Sequence, residues 1–91
     1  MKIIRSPLLL KEDLNKLKNI SLIPTMGNLH EGHLSLIKEA KKLSRNIVLT
    51  IFINPMQFNS KHDLKNYPRT LKQDINLLKD SGVTILFTPS T

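Results

Sequence analysis

The run I-P-T-M-G-N-L-H-E-G-H-L-S, from Ile23 to Ser35, decides how this chain folds. An apolar segment leads into it, Gly27-Asn28 marks a turn, and apolar residues then recur at helical spacing, so it predicts a strand, a loop and a helix start. A helix N-terminus carries unpaired N–H groups and about half a positive charge, which suits phosphate. His30 and His33 would add side-chain donors there, and a spacing of three places both on one helix face. Each hydrogen bond to a charged oxygen contributes about 1.5–3 kcal/mol. If such bonds strengthen as charge builds in a transition state, the pair supplies about two to three powers of ten in rate. Gly32, without a side chain, would let a flat or bulky ligand group lie against the backbone.

Working outward, Ile20 to Pro24 is short, mostly apolar and uncharged, which predicts a strand buried on both faces of a parallel sheet. Beyond the turn, Leu34, Ile37, Ala40 and Leu43 predict the buried side of the helix, with Lys38, Glu39, Lys41 and Lys42 in water. Asn46 to Ile53 is rich in β-branched residues and free of charge, so it reads as a central strand. Asn54 to Pro68 is a polar loop with Met56-Gln57-Phe58 just past that strand's carboxyl end. Ligands of open α/β sheets bind at those ends, so this loop and the Thr25–Gly32 loop are expected to face one cavity.

Thr70 and Gln73 form a capping-box pattern, and Leu71, Ile75 and Leu78 give the following helix its apolar side. Gly82 ends that helix, and Val83 to Thr88 reads as a third buried strand. At the front, Met1 to Arg5 suits a short strand, Ser6-Pro7 a helix start, and Leu10, Leu14 and Leu17 a scaffold helix stopping at Asn19. The alternation implies an α/β chain with a parallel sheet, flanking helices and right-handed crossovers. A half-sheet of three strands leaves edges unpaired, which predicts part of a larger domain.

Composition narrows the function. Ninety-one residues suit one small domain or a piece of a larger one. The absence of cysteine removes disulfides and thiolate metal sites and points to a reducing cytoplasm. No apolar run approaches the roughly 20 residues that span a bilayer, so no membrane partner is expected. The net charge of +7 raises the question of nucleic acid, but the lysines are dispersed, with only Lys41-Lys42 adjacent and no interleaved aromatics for stacking. Solvated helix faces explain them better.

His30-Glu31-Gly32-His33 does not fit the zinc motif H-E-x-x-H, whose second histidine stands at i+4. A plainer reading of the pair, in which both rings only cap the helix, stays open. His62 reads as a solvated loop residue. Neither G-x-x-x-x-G-K-[ST], G-x-G-x-x-G nor G-x-S-x-G occurs, so those phosphate and hydrolase motifs are absent.

Pro24 to Leu36, P-T-M-G-N-L-H-E-G-H-L-S-L, resembles the H-x-G-H signature of adenylate-forming nucleotidyltransferases in the form typical of pantoate–β-alanine ligases. Ile51 to Phe58, Asp63 to Asp74, and the final V-T-I-L-F-T-P-S agree with that family at similar spacing. The resemblance implies the amino-terminal part of a Rossmann-like nucleotide-binding domain, spanning residues 1–91. It implies an ATP- and Mg2+-dependent ligase that joins pantoate to β-alanine through pantoyl adenylate, releasing AMP. In that reading His30 and His33 bind ATP phosphates and stabilise adenylyl transfer, with Gly27 and Gly32 beside the nucleotide. Met26 touches both nucleotide and pantoate, Gln57 hydrogen-bonds pantoate, Phe52 and Phe58 line its pocket, and Asn54 lies close to the acyl group. Tyr67 and Asp74 match positions near the pyrophosphate and metal side.

The resemblance further implies a cytoplasmic homodimer in the full-length protein. It implies too that the family's downstream half, with its basic groups for the triphosphate and its small lid domain, lies outside these 91 residues, which alone are expected not to complete the reaction. The alternatives are another H-x-G-H nucleotidyltransferase, against which N-P-M-Q-F argues, and a non-catalytic nucleotide-binding or dimerisation module.

Overall fold

In the computed structural model, residues 1–52 and 71–89 are described. Their elements alternate as β1 (Lys2–Ile4), α1 (Pro7–Lys16), β2 (Ile20–Thr25), α2 (Glu31–Leu43), β3 (Asn46–Ile51), α3 (Leu71–Leu78) and β4 (Ile85–Phe87). The strands form one sheet in the order β1-β4-β3-β2, and every pairing is parallel.

Helix α1 begins as its sequence dictates. The Ser6 hydroxyl accepts the Leu9 N–H at 3.4 Å, and Pro7 occupies the first turn, where its missing N–H costs nothing. Asn19, at φ +61°, reverses the chain into β2, and the Asn46 amide donates to the Lys18 carbonyl at 2.7 Å, tying that turn to the start of β3.

Side-chain alternation along β3 builds two core layers. Ile47, Leu49 and Ile51 face α2 and α3, where they pack with Ile37, Leu78, Val83 and Leu86. Val48 faces the other way, with Ile4 and Ile85, under Leu10 and Leu14 of α1 and Leu17 just past its end. The carboxyl ends of β2 and β3 lie level, Thr25 opposite Ile51, and the segment leading to α2 leaves from there.

Three expectations change. Among the described residues the sheet has four strands, because β1 pairs with β4 through Lys2–Ile85, Ile3–Leu86 and Ile4–Phe87. β2 is an edge strand rather than one buried on both faces: Ile23 packs into the core, while Leu22 is 63% exposed. Leu43 does not join the buried side of α2. It is 81% exposed, since α2 ends there and the chain turns at Ser44 into β3. The Asn54–Pro68 loop and Thr70 lie outside the described residues.

Candidate functional site

The segment between β2 and α2 is held by hydrogen bonds from its own backbone. The Thr25 hydroxyl donates to the Thr50 carbonyl at 2.8 Å and accepts the Gly27 N–H at 3.2 Å, so the loop is pinned to β3 as it leaves the sheet. Gly27 and Asn28 both take positive φ, +89° and +53°. Glycine adopts that region freely, and asparagine is one of the few other residues that tolerates it.

Through this turn the N–H groups of Asn28 and Leu29 point toward one anion. The anion there is Asp74 of α3, 3% exposed, whose Oδ2 accepts the Asn28 N–H at 3.1 Å and whose Oδ1 accepts the Leu29 N–H at 2.8 Å. Asp74 thus reaches from another helix into the turn before the histidines. Its position was legible as an anomaly: Leu71, Asp74, Ile75 and Leu78 share one helical face, so a carboxylate sits among the residues that seek the core. Such a group needs hydrogen-bond partners to be buried at tolerable cost.

His30 is the N-cap of α2 and His33 stands three residues into the helix. Each ring uses Nδ1 as an acceptor: His30 takes the Gly32 N–H at 3.0 Å, and His33 takes the His30 N–H at 3.1 Å. This is a capping box made of imidazoles. A neutral ring whose Nδ1 accepts carries its proton on Nε2, so both present an Nε2–H donor on the edge away from the helix. Their centroids are 4.3 Å apart, with His30 exposed and His33 half-buried. Burial, the largest cause, and the neighbouring His30 push the His33 pKa below its ordinary value, against an upward pull from Asp74. A ring so placed favours its neutral, donating form.

The anticipated open N–H groups at the helix start are largely engaged. Those of Gly27, Asn28, Leu29, His30, Gly32 and His33 each already have an acceptor within the chain. Besides the Glu31 N–H, the helix dipole and the two Nε2–H groups are left to meet an anion. Both rings do cap the helix, and capping leaves the anion reading open, since Nδ1 makes the cap and Nε2 is left over. Gly32 also has a second role. A Cβ there would lie 2.8 Å from His30 Cε1 and 3.0 Å from its Nδ1, so the bare Cα makes room for the capping ring.

Met26 and Gly27 lie in this loop, half-buried. Phe52 follows β3, 48% exposed, and its N–H donates to the Thr25 carbonyl at 3.0 Å, so it emerges beside the loop at the carboxyl end of the sheet. Asn54, Gln57, Phe58 and Tyr67 lie outside the described residues. Each Asp74 oxygen has a backbone N–H against it, and among the described residues no three His, Cys, Asp or Glu side chains are grouped to hold a metal ion. A cavity of about 290 Å³ sits at the opposite, amino end of the strands. It is walled by Lys2, Asp13, Lys16, Leu17, Thr84 and Ile85, and lies far along the sheet from the histidines. None of the described helices is long and apolar enough to cross a membrane.

The chain is 58% identical over 80% of its length to a pantothenate synthetase of Acinetobacter baylyi, and 49% identical over 99% to one of Psychromonas ingrahamii. It spans only 26% and 32% of those two proteins, about a third or less of their length. Among solved structures, it superposes on a pantothenate synthetase of Thermus thermophilus with a TM-score of 0.89 at 37% identity, over 99% of this chain and 32% of that one. It also superposes on a Francisella tularensis pantoate–β-alanine ligase complexed with a β,γ-ATP compound and β-alanine, with a TM-score of 0.90 at 42% identity, over 99% and 36% of the two chains. The model of the pantoate-beta-alanine ligase family matches residues 2–91, and with the parallel α/β sheet and paired imidazoles above, this chain belongs to that family.

Proposed function

We propose that this chain forms the amino-terminal part of the nucleotide-binding domain of an enzyme that joins pantoate to β-alanine at the expense of ATP. A carboxylate oxygen of pantoate attacks the α-phosphorus of ATP while the bond to pyrophosphate breaks. The amine of β-alanine then attacks the acyl carbon of pantoyl adenylate, and AMP departs. The observation that carries this reading is the pair of rings at the start of α2, both fixed through Nδ1. Two neutral donors held side by side require no reorganisation as charge moves onto the phosphate oxygens, which is the condition for strong transition-state stabilisation.

Apolar walls for pantoate would come from Met26, Phe52 and Phe58, and an amide from Gln57, with Asn54 near the acyl group. Mg2+ would arrive with the triphosphate, on the side to which the family resemblance assigns Tyr67. The rings donate hydrogen bonds but bring no full positive charge, so neutralising the pyrophosphate requires groups beyond them. Residues 1–91 by themselves are expected not to complete the reaction. The intact enzyme is read as a cytoplasmic homodimer.

The test is rapid-quench kinetics on the full-length protein. His30→Ala and His33→Ala are each expected to slow adenylate formation about 100- to 1,000-fold while weakening pantoate binding far less. Equal losses in rate and binding would assign the rings to ground-state binding or folding and overturn the proposal.

A further inference from the structure

Asp74 is the one buried carboxylate among the described residues, and it reaches across from α3 to the turn that precedes the histidines. We propose that Asp74 is a positioning residue: its carboxylate clamps the peptide N–H groups of Asn28 and Leu29 and so sets the angle at which His30 enters α2. The inference rests on the ligase reading and concerns a residue that would otherwise be placed on the metal side of the site.

The geometry is that of a clamp. One oxygen is committed to each of two consecutive N–H groups, at 3.1 and 2.8 Å, a fork that fixes two adjoining peptide planes. Those planes flank Asn28, and both Asn28 and the Gly27 before it take positive φ, a backbone path that costs energy at Asn28 and persists only where its surroundings impose it. The space beneath Gly27 belongs to the same clamp, since a Cβ there would lie 3.3 Å from Asp74 Oδ2. The next residue after the clamped pair is His30, whose backbone N–H is bound by His33 and whose ring is bound by the Gly32 N–H. A tilt of the clamped Asn28–Leu29 peptide turns the Leu29–His30 peptide that follows it, and through that peptide both rings.

Asp74→Asn in the full-length protein separates the possibilities. The amide keeps one acceptor but turns an NH2 donor toward the other N–H, so the fork is lost at nearly constant volume. The expected result is a fall in kcat of about 10- to 100-fold, as for an ångström-scale misplacement of catalytic groups. KM for ATP and the half-saturating Mg2+ concentration are expected to stay unchanged, and hydrogen exchange in the peptide spanning Asn28 and Leu29 to accelerate. A raised Mg2+ requirement with unchanged exchange would make Asp74 a metal ligand. A lowered Tm with unchanged kcat would make it a stabiliser alone. Either outcome overturns the proposal.

Should the Asn variant not fold, exchange in the unsubstituted protein decides. Protection at Asn28 and Leu29 in the absence of ligand supports the clamp, and exchange at the rate of a free amide overturns it. If the unsubstituted protein makes no AMP, the ligase reading fails, and the exchange comparison still judges the clamp by itself.

Discussion

At the scale of single residues, the site depends on what each atom is already doing. Gly32→Ala adds a methyl group where His30 Cε1 and Nδ1 now lie, so the capping ring must swing out. The expected effect in the full-length enzyme is a loss of about 10- to 100-fold in adenylation rate, with helix-cap destabilisation of about 1 kcal/mol, read from quench kinetics and urea unfolding. An unaltered rate would show that the orientation of His30 is immaterial. His33 adds a pH signature. Burial and His30 hold its folded-state pKa below the ordinary 6.5, so between the two values the unfolded chain binds a proton that the folded chain refuses. Stability is thus full above pH 6.5 and declines as pH falls from there toward the folded value. His33→Gln, which does not titrate, is expected to flatten that part of the curve in urea melts at stepped pH. A slope identical to that of the parent would mean the imidazole titrates as it does in water. Sequence spacing put the two rings together because the 3.6-residue repeat is local. It did not reveal that Gly32 serves His30, because a rotamer lying back over the chain leaves no trace in spacing.

At the scale of elements, periodicity worked where burial is decided inside the element and failed where neighbours decide it. β3 was legible as a central strand because Ile47, Val48 and Leu49 are apolar in succession, and all three prove buried. β2 carries much the same composition, but nothing in Ile20 to Pro24 says whether another strand lies beyond it, and Leu22 ends up in the open. Leu43 shows the complementary limit: its spacing is right for the buried stripe of α2, but the layer below has run out. Leu49 sits at the centre of β3 at 0% exposure, facing α2 and α3. Leu49→Ala is expected to destabilise by about 2–5 kcal/mol in urea unfolding, a cavity cost rather than a surface one. A change under about 1 kcal/mol would mean the two helices collapse onto the gap.

At the scale of the molecule, the fold presents the β2–α2 loop and Phe52 at one end of the strands, and the lysines and arginines among the described residues are exposed. That arrangement predicts which ligands stabilise the full-length protein. ATP with pantoate is expected to raise its Tm by several degrees, as occupancy well above Kd contributes about 2–4 kcal/mol. Phosphopantetheine or a nicotinate mononucleotide is expected to leave it unchanged. The reverse pattern in a thermal-shift series would move the protein to a different H-x-G-H nucleotidyltransferase. The long-range contact of Asp74 with the Gly27–Leu29 turn belongs to this scale as well. It joins segments 45 and 46 residues apart in the sequence, so no local pattern could have shown it.

The pairing of Lys2–Ile4 with Ile85–Phe87 has a kinetic meaning. Those partners are separated by about 80 residues of chain, so the entropy of ring closure falls on three short rungs at the margin of the sheet. The β2–α2–β3 unit closes a far smaller circuit and can assemble first, leaving the opening strand to dock last during folding and to detach first under stress. Substitutions within Lys2–Ile4 would then alter how quickly the finished sheet forms more than the shape of the imidazole corner, whose rings ride on α2 and whose clamp comes from α3.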